Sequence, residues 1–354
     1  MGDDVGRRGG APASLRVREG VAPPARRPAD IPPGAVHIYW LGQAGFLLDS
    51  AAVRIIIDPY LSDSLAEKYR GTRFPHVRMM PPPAAPGDLL DVDWVLATHA
   101  HTDHLDPGTL PAIAGANPDC RFLVPASARE KALERGVPAE RMVTCNTGDR
   151  VELAGRRAST AESPADGVAT GEGSTAEGSA DGVSTGEASV RVDVLPAAHE
   201  ERELDGVGND RYLGYVLSFG GAVGVGGQRE RDAATGVSGS MPTIYHSGDT
   251  VPFGELLDAL ARREIDLALL PINGRDAERR GHGVPGNMTL DEALDLVERV
   301  AIPCFIGHHF DLFDFNTVDR DWAEVRLLDR FPDRLERYRL AAVGRRYELL
   351  GVAP

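Results

Sequence analysis

Lysine is almost missing. The 354-residue chain has only Lys68 and Lys131, and its 38 basic residues are outnumbered by 53 acidic ones, giving a formal charge of -15. A surface this acidic is poorly suited to tracking a phosphate backbone, so nucleic acid is not an expected partner. Cysteine is scarce too. Cys120, Cys145 and Cys304 are odd in number, widely spaced and without a CxxC pair, so they build no disulfide frame and read as reduced buried thiols. No stretch approaches the ~20 apolar residues of a membrane-spanning helix, and residues 1–34 carry charges and prolines where a signal peptide needs an apolar run. The expected setting is the cytoplasm, with residues 1–34 a disordered, uncleaved tail and residues 35–354 a single domain.

At 42% apolar residues the chain can bury a large core. β-rich runs at Val36 to Leu41, Phe46 to Leu48 and Val53 to Ile57 predict an opening meander. Further strands are expected at Trp94 to Thr98, Arg121 to Val124, Val190 to Leu195, Tyr212 to Phe219, Thr243 to His246, Asp266 to Pro271 and Pro303 to Gly307. Helices fall between several of them. One is expected to start at Asp106 as N-cap with Pro107 in its first position. "TLDE" forms a capping box from Thr289 to Glu292 ahead of an apolar face, and "DWAEVRLLDRF" begins a third helix at Asp321. Meanders followed by alternating strands and helices indicate an α/β protein with mixed sheets. Residues 155–190 interrupt this order: "STAESPADGVATGE" returns as "STAEGSADGVSTGE" with almost no large apolar side chain. That segment reads as a duplicated flexible insertion, and residues 226–241 as a second one.

"ATHAHTDHLDPGTL", from Ala97 to Leu110, carries the chemistry. His99 and His101 share a side of an extended chain, and Asp103 and His104 follow in a turn, so imidazoles and a carboxylate gather at the end of a buried strand. Convergent N and O donors suit a divalent metal, whereas clustered imidazoles without one would repel or desolvate each other.

The H-x-H-x-D-H pattern resembles the signature of the metallo-β-lactamase superfamily, and "LPAAHE", "YHSGDT" and "FIGHHFDLF" follow in the family's order. The resemblance covers about Val36 to Leu350. It implies a four-layer αβ/βα sandwich with two mixed sheets flanked by helices and a metal site at one edge. It further implies two divalent ions, Zn or Mn, the first held by His99, His101 and His199, the second by Asp103, His104 and a last histidine, with Asp249 between them. His308 and His309 compete for that last place. Adjacent strand residues face opposite ways, and the family's "I-P-x-H-Y" aligns with His309, leaving His308 a neighbouring supporting role. Asp58, ending "RIIID", resembles a carboxylate that fixes a ligand's tautomer; a turn aspartate is the alternative. His246 reads as a packing histidine, and His37 and His76 carry no argument.

"WLGQAGFLL", "LPINGRDAERRGHGVPGNMTLDEA" and "HFDLFDFN" resemble the L-ascorbate-6-phosphate lactonase branch. That implies hydrolysis by a metal-activated hydroxide of a lactone or ester on a small anionic, sugar-phosphate-like substrate, with Asp103 orienting the nucleophile. Asn273, Arg275 and His282, in the loop from Ile272 to Met288, are the expected substrate contacts; a solvated loop with Asp276 pairing Arg279 or Arg280 is the alternative. A phosphodiesterase on the same two metals is the rival enzyme reading. A redox diiron protein is disfavoured by His101, where the family's iron members carry Glu, and a non-enzymatic binding module by the intact donor set. Assembly with copies of itself stays open.

Overall fold

The computed structural model describes residues 13–155, 189–220 and 242–351. The duplicated insertion and the second insertion lie outside the described residues, apart from their flanks. Seven strands come first: β1 (Ser14–Glu19), β2 (Ala35–Gly42), β3 (Gly45–Ser50), β4 (Arg54–Ile57), β5 (Trp94–Leu96), β6 (Arg121–Pro125) and β7 (Met142–Cys145). They are followed by β8 (Arg150–Ala154), β9 (Ser189–Pro196), β10 (Leu213–Gly220), β11 (Thr243–His246), β12 (Leu267–Pro271), β13 (Cys304–His308), β14 (Tyr338–Leu340) and β15 (Arg345–Leu350).

Two mixed sheets result. The first runs β1-β15-β2-β3-β4-β5-β6-β7 and the second β14-β13-β12-β11-β10-β9-β8. Trp40, Phe46, Ile55 and Leu96 of the first meet Tyr215, Leu217, Tyr245 and Phe305 of the second in one dry core. The far face of the first sheet packs Ile56, Val95 and Phe122 against Leu110, Ile113 and Ala132 of its covering helices. Leu290, Ala293, Leu294 and Val297, the apolar face of helix Leu290–Arg299, cover the second sheet. This is the four-layer αβ/βα sandwich of the metallo-β-lactamase fold.

The topology gathers one set of strand ends. β4, β5 and β6 are parallel, as are β11, β12 and β13, and β9 runs with β11 because both are antiparallel to β10. Carboxyl ends of parallel strands are where α/β sheets present ligand-binding loops. Asp58 follows β4, His99 follows β5, His199 follows β9, Asp249 follows β11 and His309 follows β13.

Two expectations are corrected. Residues 1–34 are not a disordered tail throughout: Ser14–Glu19 adds an edge strand, pairing Leu15 with Leu349 and Val17 with Tyr347. Leu15 and Val17 alternate with charged neighbours, a period-2 pattern that a short polar edge strand carries only weakly. Arg27 also donates to the Ala52 carbonyl. The helix expected from Asp106 starts at Leu110 with Thr109 in the cap position. Asp106 instead accepts from the hydroxyls of Ser62, Ser64 and Thr109 and from the Gly108 N–H, so its carboxylate clamps the turn rather than capping it. The capping box at Thr289 and Glu292 is present as read, and the third helix spans Arg320–Arg330 with Asp319 as cap. Cys120, Cys145 and Cys304 are free and buried. Among the described residues no helix is long and apolar enough to cross a membrane.

Candidate metal centre

Short turns bring the strand-end donors together. After β11, Gly248 adopts φ +59, and a Cβ there would meet the Leu213 carbonyl oxygen at 2.7 Å and Thr98 Cβ at 2.8 Å. Only glycine lets the chain turn this tightly, which aims Asp249 back at the histidines. His309 likewise follows β13 with φ 65, its N–H bonded to the Gln43 carbonyl across the two sheets.

Three groups of ligand atoms result, each within 4.8 Å of one another: His99, His101 and His199; His99, His104 and Asp249; Asp103, His104 and His309. Asp249 lies among them. Its Oδ1 is 3.3 Å from His104 Nε2, and its Oδ2 is 3.2 Å from Nε2 of both His199 and His309. Among the described residues, His99 Nε2 is buried with no hydrogen-bond partner, and His104 Nε2 and Asp249 Oδ1 are buried facing each other without hydrogen-bond geometry. Leaving such atoms unsatisfied is costly, and a cation between them removes the cost. The donor set therefore fits a divalent metal.

The outward ring atoms are fixed. His104 Nδ1 donates to Asp58 Oδ2 at 2.8 Å, and Asp58 also accepts from the Thr98 N–H at 2.8 Å and the Thr98 hydroxyl at 2.6 Å. His199 Nδ1 donates to the Gly286 carbonyl at 2.7 Å. Each bond leaves Nε2 free to face inward, the arrangement that orients metal-binding imidazoles. The electrostatics divide the cluster: burial works downward on His104, but Asp249, Asp58 and Asp103 outweigh it and hold that imidazole well above the usual histidine range, which makes it the cationic partner of these carboxylates. Burial, reinforced by neighbouring imidazoles, holds His99 well below the usual histidine range and His101 at about 4, so both are neutral near pH 7. At Asp249 burial works upward, but His309 and His104 outweigh it and hold the carboxyl well below the carboxylate range. Burial also works on Asp103, where His104 again wins and the carboxyl stays ionised.

The loop 272–288 does overhang this edge, yet two of its three expected substrate contacts are turned away. Arg275 makes a bidentate pair with Glu292 at 2.6 Å and donates to the Asn287 carbonyl, so its fork is already taken. Asn273 is buried, donating to Asn316 and accepting from Asn287, and it holds the loop's shape rather than lining the cleft. Asp276 pairs with Arg279 at 2.5 Å. His282 does line the cleft, packed edge-on against Phe74. His308 is corrected as well: its ring faces between the sheets and packs on His246 and Phe46, with no hydrogen bond to the donor cluster. His246 donates from Nε2 to the Ala44 carbonyl as a packing histidine.

Sequence reasoning missed several residues. Gln43 Nε2 donates to Asp103 Oδ2 at 2.9 Å and lies 3.2 Å from His309 Nε2. Its signal was a buried amide flanked by glycine in "WLGQAGF". Tyr212 packs its ring 5.2, 5.8 and 5.5 Å from the rings of His99, His101 and His199. The cluster opens into a cleft of about 320 Å³ whose other walls include Lys68, Tyr69, Phe74, His76 and Phe313, none with a local motif.

Two mixed sheets with a His/Asp cluster at their carboxyl edge define a metal-dependent hydrolase of the metallo-β-lactamase superfamily. The chain belongs to the family described as the beta-lactamase superfamily domain, which matches residues 53–310. It is 24% identical over 333 residues to a probable L-ascorbate-6-phosphate lactonase of Escherichia coli, covering 86% of this chain and 78% of that one. A shorter match, 31% identical over 102 residues, links it to N-acyl-phosphatidylethanolamine-hydrolyzing phospholipase D 1 of Caenorhabditis elegans and covers only 28% of each chain. Among solved structures, an isothiocyanate hydrolase from Delia radicum gut bacteria superimposes with a TM-score of 0.56 at 18% identity, covering 87% of this chain and 97% of that one.

Proposed function

We propose that this metal-dependent hydrolase cleaves a carboxylic ester or lactone of a small anionic substrate, using two divalent ions, Zn or Mn. The observation that carries the reading is the convergence of buried donors, His99 Nε2, His104 Nε2 and Asp249 Oδ1, at one end of an open cleft. When bound, such ions supply Lewis acidity, which lowers the pKa of water from 15.7 towards ~7 and polarises a carbonyl oxygen.

The chain's own residues do the rest. His99, His101 and His199 make one holding group and Asp103, His104 and His309 the other, with Asp249 between. Asp58 keeps the His104 proton on Nδ1, and the Gly286 carbonyl does the same for His199. Asp103 is ionised, lines the cleft and is steadied by Gln43, so it orients the attacking water and takes its proton. Water adds across the acyl C–O bond: its oxygen bonds to the carbonyl carbon as the old C–O bond breaks, the proton taken by Asp103 passes to the leaving alkoxide oxygen to give the alcohol, and water's second proton stays with the carboxylic acid, which releases it to solvent. No serine or cysteine nucleophile is required. Lys68 at the cleft has no carboxylate partner among the described residues and supplies the charge for an anionic substrate.

The test is metal analysis of protein purified without chelator, followed by stripping and re-addition of Zn or Mn with a panel of lactones and esters. Activity that survives complete metal removal overturns the reading. The phospholipase relative favours a second reading, phosphodiester hydrolysis on the same donors. Turnover of bis(p-nitrophenyl) phosphate in preference to every lactone selects it.

A further inference from the structure

The cleft away from the metal donors is built of rings. Tyr69 stacks on His76 with centroids 4.4 Å apart, His76 stands edge-on to Phe313 at 5.0 Å, and Phe74 stacks on Phe315 at 4.6 Å. These contacts pin one another, so the walls are flat and fixed before any guest arrives. Among the described lining residues the only carboxylates are Asp103 and Asp249, both in the donor cluster. The polar groups elsewhere are largely committed. Arg135 donates to the carbonyls of Ala100, His101 and Leu105, and Asn316 accepts from Asn273 and Arg279, whereas Arg73 pairs with Glu278 at 2.8 Å only on the exposed rim.

Such a wall is hostile to a polyol. Each sugar hydroxyl brought against the faces of Tyr69, Phe74 and Phe313 loses water without gaining a partner there, at a cost of roughly tenfold or more in affinity. A flat apolar group meets the opposite balance: it buries area against rings already positioned edge and face. The volume of about 320 Å³ is at the small end of ligand sites and suits one or two rings plus the reacting bond.

We infer that the substrate's acyl or alkoxy portion carries an aromatic ring, seated among Tyr69, Phe74, His76 and Phe313, with the ester or lactone bond at the metal donors and any anionic group toward Lys68. This rests on the hydrolase reading for the bond broken and adds the substrate class.

Two measurements on the metal-loaded full chain separate that inference from the reading beneath it. In the first, kcat/KM for dihydrocoumarin is compared with γ-butyrolactone and glucono-δ-lactone. A preference of tenfold or more for dihydrocoumarin is expected, falling at least tenfold in Phe74→Ala, and in Phe74→Leu should the alanine variant not fold. In the second, calorimetry follows binding of 3-phenylpropanoate against gluconate, with no turnover needed. Tighter binding of the aromatic acid, lost in the same variants, supports the inference even if no lactone is hydrolysed, in which case the hydrolase reading alone falls. Equal or tighter binding of gluconate, or a preference untouched at Phe74, overturns it.

Discussion

Replacing Asp58 by Asn changes one atom and tests how the metal donors are held. Asp58 is fully buried and accepts three hydrogen bonds, from the Thr98 N–H at Oδ1 and from the Thr98 hydroxyl and His104 Nδ1 at Oδ2. Its φ of 47 is one that Asn tolerates, so the exchange adds little backbone strain. The Asn carbonyl keeps the Thr98 N–H, and the new NH2 group stands where Oδ2 stood and can only donate. Thr98 can rotate its hydroxyl and accept. His104 must also accept at Nδ1, which moves its remaining proton to Nε2 and covers the lone pair that faces Asp249. Loss of such a supporting partner typically costs 10–100-fold in metal affinity, or about 1.4–2.8 kcal/mol. Folding suffers less, since shape and pairing survive; a fall in Tm below about 5 °C is expected. Competition for Zn against a chromophoric chelator reads the first quantity and thermal unfolding of the apo protein the second. Wild-type affinity in Asp58→Asn would refute the tautomer argument. Asp58→Ala is the contrast: its unpaired donors cost about 1–3 kcal/mol each, so stability and metal are lost together.

Arg275→Ala is expected to leave KM unchanged within about twofold, since its guanidinium is held by Glu292 and not by the cleft; a large rise in KM for an anionic ester would return Arg275 to the substrate. Gly248→Ala combines a left-handed φ with backbone closer than a Cβ allows, so a loss of about 2–5 kcal/mol in urea unfolding is expected, with metal affinity falling as Asp249 shifts. Asp49 and Arg54 form a fully buried pair with N···O 3.4 Å. Asp49→Ala strands the guanidinium and should cost about 3–5 kcal/mol, whereas Asp49→Leu combined with Arg54→Met should recover most of it; equal losses in both would contradict the desolvation argument.

What the sequence makes legible follows from how far apart the cooperating residues lie. His99, His101, Asp103 and His104 sit within six positions, so their convergence is a local property of one strand end and one turn. His199, Asp249 and His309 have no such local signal, and their order behind the first motif, supplied by family resemblance, is what singled them out. The structure gathers all seven donor residues at one edge. The aromatic wall had no such order to lean on, because Tyr69 and Phe74 follow one short helix while Phe313 comes from a loop some 240 positions later.

The substrate loop shows a subtler limit. Glu292 was legible as the third residue of a capping box, and its Oε2 does accept from the Thr289 N–H at 2.8 Å. A carboxylate has two oxygens and more lone pairs than a cap uses. Arg275, seventeen positions earlier, takes both oxygens at 2.6 Å and so joins the loop to the helix start. An Arg with five donors in a glycine-rich loop beside a metal edge looks available for substrate only if the helix cap is treated as saturated. Here the cap's spare valence decides the matter, and it withdraws from the cleft the residue whose chemistry best suited an anion. On the proposed function, the anionic contact then falls to Lys68, one of only two lysines in the chain. That change of residue also shifts the geometry of recognition from a bidentate planar fork to a single flexible point charge at the rim of an aromatic cleft, which is a device for attracting an anion rather than for reading its shape. On the same proposal, shape selection is left to the rings.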